Sequence, residues 1–153
     1  MESQYQKEKQ SGLTAKNVLS IVAAGVAALC FLFLMTYGIS YSNATAPYSF
    51  NAADLNMAHL IFGNKWAGLN PGLFSAFIIM ILAIGFDIMM NWVAIGGYLS
   101  ILCFITSGIL WFCTVPLYGN SSAVLGAGGW CLGVFNIIDA ALVFVAGSLG
   151  NGK

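Results

Sequence analysis

Arginine is absent from this chain, and charge of either sign is scarce: five lysines, five acidic residues and one histidine stand among 153 residues, 7% are charged, and the formal net charge is zero. So little positive charge leaves no surface for a nucleic-acid backbone, and nucleic acid is excluded as a partner. The lone histidine, His59, has only Asp54 near it in sequence. A zinc site needs three or four ligands, so His59 reads as a loop or packing residue, and no metal or other cofactor is expected. Gly-rich phosphate cradles, a nucleophile elbow, catalytic carboxylate pairs and Cys-x-x-Cys are all missing, so no enzyme chemistry is expected.

What the chain does have is hydrocarbon. Hydrophobic residues make up 59% of it, and they gather in four runs, 18–37, 71–90, 93–114 and 128–147. Each is near the roughly 20 apolar residues a helix needs to cross a bilayer core. Backbone polar groups in lipid must be satisfied within the segment, so the runs read as helices. The expected fold class is an all-α membrane protein, an antiparallel four-helix transmembrane bundle with a structured extracellular first loop. Residues 17–148 hold the bundle, 40–69 the outer loop, and 1–16 and 149–153 two short cytoplasmic ends. The polar leader and the length of the first run argue for a retained span rather than a cleaved signal.

Lysine placement sets the expected orientation. Lys7, Lys9 and Lys16 precede the first run and Lys153 follows the last, while Lys65 alone lies in the first loop; the positive-inside tendency puts both termini in the cytoplasm of a multi-pass plasma-membrane protein. Trp66, Trp92, Trp111 and Trp130 fall near span ends and read as interfacial anchors. The sequons at Asn43 and Asn120 lie on the outer side; with no arginine in the chain, they read as coincidental.

Local boundaries follow from capping chemistry. Asn70 before Pro71 is a cap followed by a residue with no N–H to lose, and Asn91 is the expected cap of the third span. In the outer segment, Asn51 is a candidate cap for a short helix with Asp54 in its first turn and Gly63 as its stop; a pair of short strands is the alternative. Small residues at four-residue spacing, Ser20, Ala24 and Ala28 in the first span, Gly96 and Ser100 in the third, Gly129 and Gly133 in the fourth, read as helix-packing faces.

Asp139 stands out as the candidate functional residue. It lies about 17 Å along the fourth span at the helical rise, close to mid-membrane, where an aspartate costs roughly 2.5 to 3.5 kcal/mol. Asn136 shares its face. Two readings follow: an interhelical polar clamp, or a proton or cation site in a small transporter or channel subunit. Asp87, near the inner end of the second span, is either solvated or paired with Lys16 at the interface. Cys30 and Cys103 read as packing residues, whereas Cys113 and Cys131, near the outer ends of consecutive spans, are candidates for a disulfide.

The motifs Leu60-Ile61-Phe62-Gly63 and Leu125-Gly126-Ala127-Gly128, set in this layout, resemble small four-span membrane proteins of low-GC Gram-positive bacteria. The topology also resembles that of claudin-type tetraspan proteins, which implies a left-handed bundle that associates laterally. The first loop departs from that family in lacking paired cysteines. The leading functional expectation is a non-enzymatic membrane protein acting by lateral assembly, as a homo-oligomer or a small subunit of a larger envelope complex. Its partners would be the lipid bilayer and other membrane chains.

Overall fold

The computed structural model describes residues 15–41, 56–63, 68–119 and 123–150. Along them run α1 (Ala15–Phe33), β1 (Ile39–Tyr41), α2 (Met57–Phe62), α3 (Pro71–Met89), α4 (Ile95–Phe112), α5 (Thr114–Tyr118), β2 (Ala123–Leu125) and α6 (Ala127–Gly150). The chain is mostly helical, and α3, α4 and α6 are each long and apolar enough to cross a membrane. The 19 residues of α3 measure about 28 Å at the helical rise. Large apolar side chains cover their outward faces, among them Leu82, Leu102, Ile109 and Phe144, as suits a surface solvated by lipid rather than water.

α1 is shorter than its apolar run. A continuous helix over 18–37 is expected from composition, but the ladder stops at Phe33. The Thr36 hydroxyl donates to the Phe33 carbonyl at 2.7 Å, the amides of Met35 and Thr36 turn back onto Leu32 and Phe33, and Tyr37 bridges to Asn56. A side-chain hydroxyl and a strand partner thus take over from the helical bonds.

The remaining boundaries divide between expectation and correction. Asn70 caps α3 with Pro71 at its first position, its side-chain oxygen accepting from the Leu73 amide at 3.1 Å. Its amide nitrogen donates to the Leu117 carbonyl at 2.9 Å, tying the start of α3 to α5. Asn91 does not cap α4. That helix starts after Ala94 with no side-chain cap, and Asn91 instead donates back to Ile88, because backbone bonds from Trp92 and Val93 to Met89 already build the turn. The short helix of the first loop, α2, is capped by Asn56 and stopped by Gly63 at φ 91°; Asn51 and Asp54 lie outside the described residues, as do Asn43, Asn120 and Trp66.

The four long helices run alternately up and down, α3 against α4, α4 against α6, α6 against α1, with a lighter contact from α1 to α3. At one end β1 and β2 pair antiparallel, Ile39 opposite Leu125, Ser40 opposite Val124 and Tyr41 opposite Ala123. This clasp joins the end of α1 to the start of α6, with the Gly126 and Gly128 amides donating to the Gly38 and Tyr37 carbonyls. A side chain at Gly126 would place its Cβ 2.5 Å from the Tyr37 oxygen, so the close approach requires glycine there. The opposite end is the tight turn between α3 and α4.

Two apolar layers fill the interior. The layer at the sheet end centres on Trp111, Met80, Leu73 and Leu132; the layer at the turn end centres on Phe104, Met90 and Val143 with small alanines. Trp111 corrects the expectation of an interfacial anchor: it is 0% exposed, while Trp92 and Trp130 do face outward.

Candidate functional site

Among the described residues, six polar or charged side chains are buried in this apolar interior: Asp87, Ser100, Ser107, Thr114, Asn136 and Asp139. α3 presents Asp87 inward because it continues the stripe Leu73, Ala76, Met80 and Ala83, each three or four residues from the last. α6 presents Asn136 and Asp139, three residues apart, on the face that also carries Leu132 and Val143. α4 supplies Ser100 and Ser107 opposite α3.

The hydrogen-bond geometry is unbalanced. Ser100 donates to the Ala83 carbonyl at 2.9 Å and Ser107 to the Ala76 carbonyl at 3.0 Å, so both hydroxyl protons are committed to the α3 backbone. Thr114 donates to Trp111. The Asn136 amide group donates to its own helix at the Leu132 carbonyl, 2.8 Å away, with long contacts to the sulfurs of Met80 and Cys30 at 3.7 and 3.9 Å. Among the described residues four buried acceptors have no partner, Asp87 Oδ1, Asn136 Oδ1 and both oxygens of Asp139, against one unpartnered buried donor, Trp111 Nε1.

Electrostatics give the same picture. Asp87 is 2% exposed and Asp139 0%. Asp87 is a charge neighbour of Asp139, and the Cys30 thiol on α1 is another. No cationic group acts on either acid among the described residues. Two like groups share one apolar interior.

The other residues singled out in the sequence fall as follows. Asp87 is not a solvated interfacial acid but an interior one. The side chain of Lys16 lies outside the described residues, and with it the proposed pair. Asn136 and Asp139 share the interior face, yet Asn136 bonds to Leu132 rather than clamping Asp139. Cys113 and Cys131 are both free thiols. Cys113 sits at the junction of α4 and α5, and Cys131 on α6 lies within electrostatic range of Cys30 on α1. His59 sits in α2, and no group of three potential metal ligands occurs among the described residues.

Among the small residues, Gly96, Ser100, Gly129 and Gly133 are buried. A Cβ at Gly133 would strike the Phe112 ring at 2.7 Å, so that glycine sets the approach of α6 to α4. On α1 the inward residues are Ala23, Ala27 and Cys30. The stripe expected to pack, Ser20, Ala24 and Ala28, lies one position away; Ala24 and Ala28 are exposed on the outer face and Ser20 is half-buried. α1 has alanines on both faces, and only docking against α6 selects between them.

Asp87 was singled out as an interfacial acid, and its inward placement was the part not read, although its phase with Leu73, Ala76, Met80 and Ala83 is a signal in the sequence. Compared with known protein families, curated proteins and solved structures, the chain matches none.

Proposed function

We propose that this is a multi-pass membrane protein whose four-helix transmembrane bundle holds a proton-binding site formed by Asp87, Asp139 and Asn136, and that it works as a small transporter or channel subunit. The observation that carries the reading is the surplus of buried acceptors over donors. A carboxylate can only accept, while a carboxylic acid carries an O–H donor. Protonating Asp139 supplies a donor for the neighbouring Asn136 Oδ1 or for Asp87, and it removes a charge that hydrocarbon does not tolerate. Release of that proton recreates the imbalance, so the site is poised to exchange protons. A metal ion is less well served, since the described donors are few and on only two helices.

The test is proton flux in vesicles of purified, reconstituted protein under a pH gradient. Wild type carries protons; Asp139→Asn, which supplies its own N–H donors and cannot ionise, inserts normally and carries none. Equal flux in the Asn variant refutes the site. Dependence on a sodium or potassium gradient instead of pH would reassign it to a cation.

A second reading, lateral assembly, is favoured by the outward stripe of Ala24 and Ala28 on α1. Next to it, a Cβ at Gly25 would meet nothing within 4 Å, so another helix has room to approach closely. Both termini then lie on one side, the inner leaflet by the lysine distribution. In this reading Ala28→Cys crosslinks copies of the chain or a partner subunit in the native membrane, and a monomeric mass in gentle detergent counts against it.

A further inference from the structure

We infer that a cavity of about 320 Å³ between the α3–α4 turn and the last turns of α6 is the water-holding entrance by which protons reach Asp87 and Asp139. The inference rests on the proton-site reading above and assigns its route and its sidedness.

The placement of the lining residues carries it. Met90 comes three residues after Asp87 on α3, and Val143 four residues after Asp139 on α6. Each therefore lies about one helical turn from its acid, about 4.5 to 6 Å along the axis. Both are buried, at 5% and 0% exposed, and they form the floor of the cavity beneath the acids. Asn91, Trp92, Tyr98 and Ser148 line it further out and are exposed, giving the mouth amide, indole and hydroxyl groups that water can bridge. A water molecule takes roughly 30 Å³ of liquid, so several fit.

The floor is of a kind that moves. Met90 is unbranched with three rotatable bonds, and its sulfur packs over Gly97, where a Cβ would come within 2.8 Å of it. Glycine at 97 leaves the thioether its seat. A change of rotamer at Met90 removes one side chain from between the cavity and Asp87.

Among the described residues, the sheet end is less open to the acids. A smaller hollow of about 190 Å³ there is bordered by Leu60, Leu69 and Tyr118. It is separated from the acids by the layer of Leu73, Met80, Trp111 and Leu132, each 0% exposed. The group that acts on Asp139 from α1 is the Cys30 thiol, the buried Ser100 and Ser107 hydroxyls of α4 are bonded to the Ala83 and Ala76 carbonyls of α3, and the two carboxyls themselves lie on α3 and α6. None of them is a cation, so among these groups only the acids themselves hold an exchangeable proton near neutral pH, and the described cavity is the route we assign to it.

Two carbodiimides separate this inference from the reading beneath it. Either reagent adds a protonated carboxyl oxygen to its central carbon, with the proton passing to nitrogen, and mass spectrometry reads the adduct at Asp87 or Asp139. A lipid-soluble carbodiimide reports whether a protonated acid is present at all; a small water-soluble one reports access from water. In intact reconstituted protein, Met90→Ala and, separately, Val143→Ala are expected to raise the water-soluble reaction severalfold. Ser148→Trp, which fills the mouth, is expected to lower it severalfold, and the lipid-soluble reaction stays unchanged in all three. If the lipid-soluble reagent labels the acids but none of these variants changes the water-soluble rate, the entrance is refuted and the proton site stands. If neither reagent labels wild type, the proton site fails and the entrance with it.

Discussion

At the scale of single residues, the interior of this protein turns on groups whose hydrogen bonds do not balance. Trp111 fills more of the core than any other fully buried side chain, yet its Nε1–H has no acceptor. Removing the ring and removing the N–H should therefore act in opposite directions. Trp111→Ala is expected to lose about 3 to 5 kcal/mol of stability through the cavity it leaves, whereas Trp111→Phe keeps most of the packing and deletes an orphaned donor whose burial costs about 1 to 3 kcal/mol. Unfolding in mixed detergent, followed by circular dichroism, ranks the two. The acids follow the same logic. Asp87→Asn and Asp139→Asn each replace a buried acceptor-only group by one with donors, so each is expected to fold at least as stably as wild type while losing carbodiimide labelling at that position. A large loss of stability in both would mean that the charged forms are held by a partner.

At the scale of elements, what couples the helices is a small set of polar ties in an otherwise uniform apolar surface. Ser100 and Ser107 reach from α4 to backbone carbonyls of α3. Interhelical hydrogen bonds of this sort average about 0.6 kcal/mol in a bilayer, so Ser100→Ala and Ser107→Ala are each expected to cost well under the loss at Trp111, and the double variant roughly the sum of the two. The β1–β2 clasp is less forgiving. Gly126→Val would drive a branched side chain into the Tyr37 carbonyl and the Gly38 backbone, so the strands must part and α1 loses its tether to α6. Faster amide exchange at Ile39 and Leu125, with little change at α3 and α4, is the expected signature.

Boundaries at this scale were partly legible. Asn70-Pro71 and Gly63 announce themselves, since a cap and a stop are local chemistry. The end of α1 at Phe33 was not legible, because the run remains apolar through Leu34 and Met35 and what stops the helix is the Thr36 hydroxyl together with a bridge from Tyr37 to Asn56, nineteen residues on. Asn91 misled for a related reason: a good capping side chain sat next to a turn whose backbone bonds had already closed.

At the scale of the whole molecule, the alternating course of α1, α3, α4 and α6 returns the chain to the end it started from. A reporter at either terminus is therefore expected on the same side of the membrane, and impermeant labelling of a cysteine placed at Ser148 should come from that side too. Reporters on opposite sides would break the bundle as proposed. The protein should also stay with the membrane through alkaline carbonate washing, as expected for apolar spans rather than a peripheral chain.

The residue sequence, on its own, pointed to lipid as the solvent and to most of the helices: too little charge for a water-soluble surface, and apolar runs of which three form helices long enough to span hydrocarbon. It also flagged Asp139, since an acid in such a run is costly wherever it faces. Only the tertiary structure decided which stripe of each helix looks inward. That choice exposed Ala24 and Ala28 while burying Ala23 and Ala27, put Trp111 in the core, and brought Asp87 into the same interior as Asp139. The physical reason is that lipid and protein interior are equally apolar. The usual contrast between a greasy face and a wet one is erased, and the orientation of each helix is settled by close packing and a few hydrogen bonds between segments far apart in the chain.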